Sequence, residues 1–258
     1  MKKGIFTVIF MVMITVFFIF ILAFVNEAAK NRIVQNTEIQ RIRSILYACN
    51  VLPEGVEESA LSPTSTTQDI PWHEQDLLKM VEDRLRSVRL PIKPSQRALL
   101  ENSFLSLQDS VELIVLLNEE GEIDGYGFPL RGRGLWGTIS AVAVISSDLK
   151  HMIGIDFTDQ VETPGLGARI METGFKYFFR GLDLGGFLDQ GQNQTPIVMV
   201  GKKDKTNIEL STNSIMAITG ATQTCNGVLN MINSDLKFYM RSISESRDEI
   251  KNKILSIQ

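Results

Sequence analysis

The chain of 258 residues has few of the side chains from which protein metal sites are usually built. It contains two cysteines and two histidines. Cys49 and Cys225 lie far apart and outside any C-x-x-C pattern, which excludes a dense disulfide framework and a cysteine-based zinc or iron–sulfur site. His73 and His151 lack metal-ligand spacing. We therefore predict no metal site, and two free thiols rather than one long-range disulfide.

The sequence also lacks an excess of basic residues and the motifs of common hydrolases. Lys and Arg number 26 against 30 Asp and Glu, so the net charge is −4. This charge balance does not indicate a basic surface that binds nucleic acid. No G-x-S-x-G, H-E-x-x-H or P-loop sequence is present, which argues against a serine hydrolase, a zinc protease and a P-loop nucleotidase. Any redox chemistry must come from a cofactor.

Only one hydrophobic run is long enough to cross a membrane. Ile5 to Val25 carries no charge, and as a helix it would span roughly 30 Å. A cleavable signal peptide is the alternative, because two lysines precede the run. The run is longer than a usual signal-peptide core, and no A-x-A-like site follows it before Asn26. We therefore predict an uncleaved anchor over residues 1–26.

The charges that flank this run do not settle its orientation. Two lysines precede it and four basic residues follow within a short distance, namely Lys30, Arg32, Arg41 and Arg43. The positive-inside comparison is therefore equivocal. Because large domains cross the membrane largely regardless of charge, the balance favours a domain outside the cytoplasm.

Residues 27–110 are predicted to be a juxtamembrane helical segment with a possible insertion. Glu27 to Leu52 has mostly helical apolar spacing, so we predict that the anchor continues into an amphipathic helix that ends near Pro53. The polar segment 56–69 is predicted to be a loop. Apolar residues at helical spacing predict a second helix over Asp76–Leu90.

Residues 111–241 carry short strand patterns followed by helical ones. A short helix is predicted at Phe175–Phe179 and a helix of about three turns around Val228–Leu236. This mixture predicts an α+β domain with an antiparallel sheet and flanking helices, followed by a polar C-terminal tail over 242–258. The strands are predicted at Val111–Leu117, Ile123–Phe128, Thr138–Ile145, Met152–Phe157 and Pro196–Val200.

The segment from Gly132 to Gly137 matches G-x-G-x-x-G in its letters but not in its context. A dinucleotide-binding copy follows a strand and opens a helix. Here Thr138–Ile145 has a strand pattern, and the bulky Trp136 stands where the phosphates would lie. We therefore predict a loop between two strands that presents one aromatic side chain.

A second turn is predicted over the run Glu162-Thr163-Pro164-Gly165-Leu166-Gly167. Proline fixes φ, and glycine supplies a positive φ or a close approach of the backbone. Because Pro-Gly turns are common, the pattern alone favours a structural role.

The run Thr219-Gly220-Ala221-Thr222-Gln223-Thr224 joins a short apolar segment to a helix predicted to begin near Asn226. Gly220 and Ala221 leave the backbone open to a large group. Thr224 falls near the expected N-cap, where a phosphate on its hydroxyl would face free amides and the positive end of the helix dipole. The alternative is a threonine-rich loop whose hydroxyls only cap the helix.

An anchor followed in order by Gly-Leu-Trp-Gly, Glu-Thr-Pro-Gly-Leu-Gly and Thr-Gly-Ala-Thr-Gln-Thr resembles the FMN-binding-domain family. Within it, the chain is similar to the C subunits of sodium-translocating NADH:quinone reductases (Nqr) and the G subunits of Rnf electron-transport complexes. The resemblance covers the anchor, the helix around residues 40–46 and most of 111–240, whereas 56–108 match poorly.

The resemblance implies FMN joined by a phosphoester to Thr224, the last position of the family's flavinylation motif. The first position is Thr219, where the family has Ser or Asp. No residue of the chain is expected to be catalytic. The implied cofactor contacts are Thr222, Gly220 and Ala221 in the same motif, and Glu162, Thr163, Gly165, Leu166, Gly167 and Trp136 beside the isoalloxazine ring.

Thr222 is the main rival of Thr224 as the attachment point. The two residues flank Gln223, so in an extended loop their hydroxyls would point the same way. We prefer Thr224 because it is nearer the predicted helix start and is the last position of the motif. Thr222 would then be a hydrogen-bond partner or a feature that the flavin transferase reads.

The resemblance further implies an electron carrier in a redox-driven ion-translocating complex. The chain would relay electrons between neighbouring subunits on the route from NADH to ubiquinone, at the inner cell membrane, with its domain in the periplasm. The expected partners are the other Nqr or Rnf membrane subunits and a flavin transferase. The Gly-Leu-Trp run and the Gln-x-x-Arg-x-Ile-Leu helix favour Nqr. A stand-alone anchored flavoprotein reductase and a flavin-binding sensor are the alternatives.

Overall fold

The computed structural model describes residues 2–101, 103–187, 197–201 and 212–256. Two compact units are distinguished, Met1–Arg41 and Ile42–Gln258. The finer boundaries expected from the sequence, at residues 26, 110 and 241, stay predictions.

The first unit is the greater part of one long helix, α1 (Lys2–Ala48). Among the described residues, α1 is the one helix long and apolar enough to cross a membrane. Its most apolar window of 18 residues has a mean hydropathy of 3.2, and none of that window is buried inside the protein. This is consistent with the single-pass anchor predicted over Ile5–Val25.

The last turn of α1 belongs to the second unit. Residues 44–49 are all buried, whereas an amphipathic helix would expose one face. The amphipathic part of the prediction is therefore wrong at this end. The reason is that Ile45 and Ala48 pack on one face of the sheet, while other segments cover the rest of the turn.

Five strands form an antiparallel sheet in which each strand pairs with its neighbour in sequence. This arrangement confirms the α+β prediction with an antiparallel sheet. The strands are β1 (Leu85–Pro91), β2 (Ser110–Leu117), β3 (Ile123–Arg133), β4 (Thr138–Ser146) and β5 (Met152–Asp159).

Alternation along the strands divides the sheet between two apolar cores. In β2, Leu113 and Val115 point into the larger core, whereas Ile114 and Leu116 point into the smaller core beside the last turn of α1. Because both faces of the sheet are covered at β2, the sequence of this strand is a nearly continuous apolar run.

The helix α2 (Glu74–Arg84) contacts β1 and β2. The larger core is covered by α3 (Thr173–Lys176), α4 (Thr222–Glu245), α5 (Arg247–Leu255) and the parallel pair β6 (Val198–Val200) and β7 (Ser214–Met216). The helix α4 packs along β3, where the rings of Phe128 and Tyr239 stack with centroids 4.1 Å apart. The predicted strand start at Pro196 lies outside the described residues.

The helix predicted over Asp76–Leu90 is wrong in its second half. The helix ends at Arg84, and β1 follows and pairs with β2. Val88 and Leu90 are buried while Arg89 is exposed, so the segment alternates as a strand does. Leu85 and Val88 also fit helical spacing, which explains the error.

The predicted helix of about three turns is too short and begins too late. The helix α4 has 24 residues, begins at Thr222 rather than near Asn226, and has Ala221 as its N-cap. Its first half is rich in Thr, Asn and Gly, which are poor helix formers, so packing on β3 rather than propensity stabilises it.

The segment predicted to be a polar tail also contributes to the fold. It includes α5, whose Ile250 and Ile254 are buried in the larger core. The thiols of Cys49 and Cys225 are free and buried, and burial raises the pKa of Cys49 to about 12.

Asp235 on α4 gives a prediction about stability. Burial raises its pKa to about 6, and hydrogen bonds from Ser103 and the Arg131 backbone oppose the shift. Its Oδ2 has no hydrogen-bond partner within the described part of the chain. Because the folded chain holds this proton more tightly than the unfolded chain, the stabilisation is complete below about pH 4 and is lost as the pH rises through 6.

We expect the native chain to lose about 2–3 kcal/mol of unfolding free energy between pH 4 and pH 7 that Asp235→Asn does not lose. Urea unfolding of both proteins in detergent at the two pH values measures this difference. An equal difference between native and variant at both pH values would show that Asp235 does not titrate in this range.

Candidate functional site

The three motif segments found in the sequence meet at one end of the sheet. Residues 134–137 connect β3 to β4, and the run from Glu162 follows β5. The two segments share this end because the start of β4 pairs with the end of β5. The start of α4 lies against the same hairpin, since a Cβ on Gly227 would collide with the carbonyl oxygen of Arg133.

A buried carboxylate joins the three segments. The Thr224 hydroxyl donates a hydrogen bond to Glu162 Oε2 at 2.5 Å, and the backbone N–H of Trp136 donates to Glu162 Oε1 at 3.0 Å. Glu162 is 5% exposed and Thr224 is 1% exposed. Each carboxylate oxygen therefore has a donor, as a buried charge requires.

Thr163 holds the turn after Glu162 in place. Its hydroxyl accepts a hydrogen bond from the Trp136 indole N–H at 3.1 Å. Its carbonyl accepts from the backbone N–H groups of Leu166 and Ala168, both at 3.1 Å. The hairpin loop and the turn are thus connected through side chain and backbone.

Glycines allow these segments to approach so closely. A Cβ on Gly134 would collide with Glu162 Oε1, and a Cβ on Gly167 would lie 2.5 Å from Thr224 Oγ1. Gly165 and Gly220 have φ of +75° and +83°, a region that side chains rarely adopt. Any larger residue at Gly134 or Gly167 would fill the space around the carboxylate.

The helix start separates the two candidate hydroxyls. Thr222 and Thr224 are the first and third residues of α4, and two helical positions differ by about 200° around the axis. Thr222 is exposed and Thr224 is buried. The predictions that they point the same way and that Thr224 is near the N-cap are therefore wrong. The amides of this first turn have no acceptor within the helix.

Four large apolar side chains are exposed around this carboxylate. We call them the apolar rim: Leu135, Trp136, Val161 and Leu166. They belong to the hairpin loop and to the turn, and Leu166 approaches Gly220 of the third segment. A cluster of exposed apolar side chains beside buried polar groups is typical of a ligand site.

The rim contains two residues that the sequence patterns did not identify, Leu135 and Val161. Leu135 is part of the Gly-Leu-Trp-Gly run, so its place in that motif could have identified it as a site residue. Val161 immediately precedes the Glu-Thr-Pro-Gly turn and carries no pattern of its own.

The Rossmann alternative is excluded by the position of the glycines. Gly132 lies within β3, the N–H of Gly134 donates to the Gly137 carbonyl at 2.7 Å, and β4 begins at Thr138. The segment is a strand-connecting loop, as predicted. Because the segment is followed by a strand and not by a helix, it lacks the helix N-terminus on which a dinucleotide-binding motif holds its diphosphate.

Comparison with known proteins agrees with this geometry. Residues 134–237 match the FMN-binding domain family. The chain is similar to the C subunit of the Na(+)-translocating NADH-quinone reductase of Pasteurella multocida (strain Pm70), with 31% identity over 150 residues, 54% of this chain and 53% of the relative. The corresponding protein of Yersinia pestis is 34% identical over 123 residues, 48% of this chain and 44% of the relative. The matches span about half the length of these relatives.

Two solved structures share the fold. The crystal structure of Shewanella oneidensis NqrC has a TM-score of 0.58 at 14% identity, covering 80% of this chain and 97% of that chain. The crystal structure of the corresponding protein from Parabacteroides distasonis ATCC 8503 has a TM-score of 0.53 at 18% identity, covering 80% and 96%. These two likenesses show the shared fold, and the family match and the relatives confirm the resemblance drawn from the motifs.

Gly167→Ala tests how closely the segments pack. The added methyl would force Thr224 and Glu162 apart, so we expect a loss of roughly 1–3 kcal/mol in unfolding free energy. Gly185→Ala is the matched control, because a single atom lies near its added Cβ, a carboxylate oxygen of the exposed Asp183 at 3.2 Å. Urea unfolding measures both, and equal stability of the two variants would contradict the close packing around Thr224.

Proposed function

Because residues 134–237 match the FMN-binding domain family, we propose that this chain is a flavin electron-carrier subunit of a sodium-translocating NADH:quinone reductase. It holds FMN through a phosphoester to Thr224. The relatives named above are C subunits of such reductases, which supports the Nqr assignment over Rnf.

One observation carries the proposal. Three segments distant in sequence converge on the pair formed by the Thr224 hydroxyl and the Glu162 carboxylate, and two of these segments lie outside the helix that bears Thr224. A threonine that served only to start α4 would not need a carboxylate partner from the turn after β5. The N-cap is Ala221 and makes no side-chain capping bond, so capping does not explain the motif.

The residues present fit the phosphate of FMN. Thr224 lies in the first turn of α4, where free amides and the helix dipole favour a negative charge. Gly220 and Ala221 supply a backbone with little side chain in front of it, so a phosphate and its ribityl chain have room to approach.

The apolar rim fits the isoalloxazine ring. Trp136 offers a flat aromatic face and Leu166 an aliphatic surface, and the turn at Thr163 and Gly165 offers backbone groups for the polar edge of the ring. Bound FMN would supply reversible acceptance and release of electrons. Since the rim is exposed, the ring edge would remain open to a neighbouring subunit, which suits a relay better than an enzyme with its own substrate.

Accessibility alone would favour Thr222, whose hydroxyl is exposed while that of Thr224 is buried. The choice of Thr224 rests instead on its carboxylate partner and on its place in the motif. Thr222, on the outer side of α4, is then available for contact with the flavin transferase.

The anchor and the relatives' names suggest where the chain works. We place α1 in the inner membrane as a single-pass anchor and the domain on the periplasmic side. The relatives are named as subunits, so the proposed partners are the other membrane subunits of the complex. A flavin transferase would attach the cofactor on the same side.

Thr224→Val should abolish the in-gel flavin fluorescence of the denatured protein and remove the mass of one FMN. Thr222→Val is the matched control and should reduce occupancy at most. Both variants are expressed as full chains together with a flavin transferase. Fluorescence that survives Thr224→Val but disappears with Thr222→Val would move the attachment site, and a native chain without covalent flavin would overturn the proposal.

Protease added to sealed spheroplasts should digest residues beyond about 50 and leave the anchor in the membrane fraction. The physical reason is that the uncharged helix spans the bilayer while the domain lies outside. Complete protection of the domain would reverse the proposed orientation, and release of the chain by carbonate would contradict the anchor.

A further inference from the structure

Glu162 makes a contact that holding a finished flavin would not require. Its Oε2 accepts a hydrogen bond from the Thr224 hydroxyl, with 2.5 Å between the two oxygens. After attachment that oxygen is an ester oxygen without a proton, so the hydrogen bond can exist only before attachment. A carboxylate on this hydroxyl is therefore placed to act on its proton in the step that forms the ester.

The chemistry of attachment calls for such a group. A threonine hydroxyl is a weak nucleophile, and an adjacent base activates it by taking its proton. A general base must lie within hydrogen-bond reach of the proton that it removes. Glu162 Oε2 satisfies this requirement, and the described residues place no other carboxylate on Thr224 Oγ1.

The surroundings hold the carboxylate in the required orientation. The Trp136 N–H binds Oε1, which directs Oε2 towards Thr224. The absence of side chains at Gly134 and Gly167 leaves room for both oxygens. The glycines of the two motifs thus serve the carboxylate as well as the cofactor.

We propose that Glu162 is a catalytic residue in its own chain's flavinylation, an inference that rests on the proposed function. Thr224 Oγ1 attacks the FMN phosphorus of a donor that carries FMN in a phosphoanhydride, such as a flavin dinucleotide. The Oγ1–P bond forms, the anhydride P–O bond breaks, and the electron pair leaves with the nucleotide phosphate. The hydroxyl proton passes to Glu162 Oε2 and then to water.

The burial of Thr224 adds a structural consequence. Gly167 lies against the hydroxyl, so the part of the turn that follows Glu162 must open to admit the donor while Glu162 keeps its hydrogen bond to Thr224. After attachment Oε2 has lost its donor and faces the negative phosphodiester, so the carboxylate moves away. Gly165, with its φ of +75°, is a position where the turn can change its path.

Glu162→Gln distinguishes two roles of Glu162, taking the Thr224 proton and merely covering the hydroxyl. The amide keeps the size and shape of the side chain, and its single oxygen can accept from Thr224 or from the Trp136 N–H, but it cannot take the proton. Glu162→Ala removes both the base and the side chain that covers the hydroxyl. Glu172→Gln is the control, since Glu172 is half-buried and pairs with Arg169 at 3.1 Å rather than with Thr224.

The experiment uses full-length chains purified in detergent from cells without a flavin transferase. Purified transferase and a saturating concentration of flavin adenine dinucleotide are added, and covalent flavin is followed by intact mass. We expect Glu162→Gln and Glu162→Ala to react at least about 100-fold more slowly than the native chain, and Glu172→Gln within about twofold. Thermal unfolding shows whether each variant is folded.

A folded Glu162→Gln that reacts at the native rate would overturn the catalytic role and leave the Thr224 site intact. A Glu162→Ala that reacts faster than the native chain would also overturn it, because Glu162 would then only cover the hydroxyl. A native chain that acquires no covalent flavin would instead overturn the proposed function, and the inference with it.

Discussion

In the unmodified chain, the buried hydrogen bond between Thr224 and Glu162 is the contact on which the arrangement of the site depends. Neither group can be left without a partner at this depth, because an unpaired buried carboxylate is costly. Their pairing fixes the start of α4 against the turn after β5. The Trp136 N–H completes the set of donors and brings the β3–β4 loop to the same point. The apolar rim is a consequence, since its members flank these three contacts.

A second buried pair has one member on β5 itself. Lys176 Nζ lies 2.7 Å from Asp156 Oδ1 and 4.4 Å from the centre of the Tyr47 ring. Burial lowers the pKa of Lys176, while the charge of Asp156 opposes the shift. Since Tyr47 is in the last turn of α1, this cluster joins that turn to β5 and α3. The site and this cluster therefore share the strand β5, which ends beside Glu162.

Much of the sheet could be predicted from the sequence because β2 to β5 have strong strand patterns bounded by turns. The boundary between the helix α2 and the strand β1 could not be predicted, because Leu85 and Val88 fit helical as well as strand spacing. Only the pairing of β1 with β2 shows that this segment is a strand. The start of α4 was misplaced because Thr, Asn and Gly have low helix propensity, and packing on β3 overrides it.

The candidate site was predicted as a set of separate motifs, and the structure shows the contacts between them. A resemblance identified Glu162 and Thr224 separately, but no pattern along one chain could show that they are 2.5 Å apart. Likewise, Thr222 and Thr224 were equivalent in an extended loop and became distinct only when the helix began at Thr222. Contacts between distant segments are set by tertiary packing, and this is the information that the sequence pattern lacks.

The most direct measurement is fragmentation mass spectrometry of the native chain isolated from its own membrane. The peptide that contains residues 219–231 should carry one FMN, and the fragment ions should place it on Thr224 with Thr222 unmodified. A flavin found on Thr222 or on another hydroxyl, or a peptide without flavin, would contradict the account.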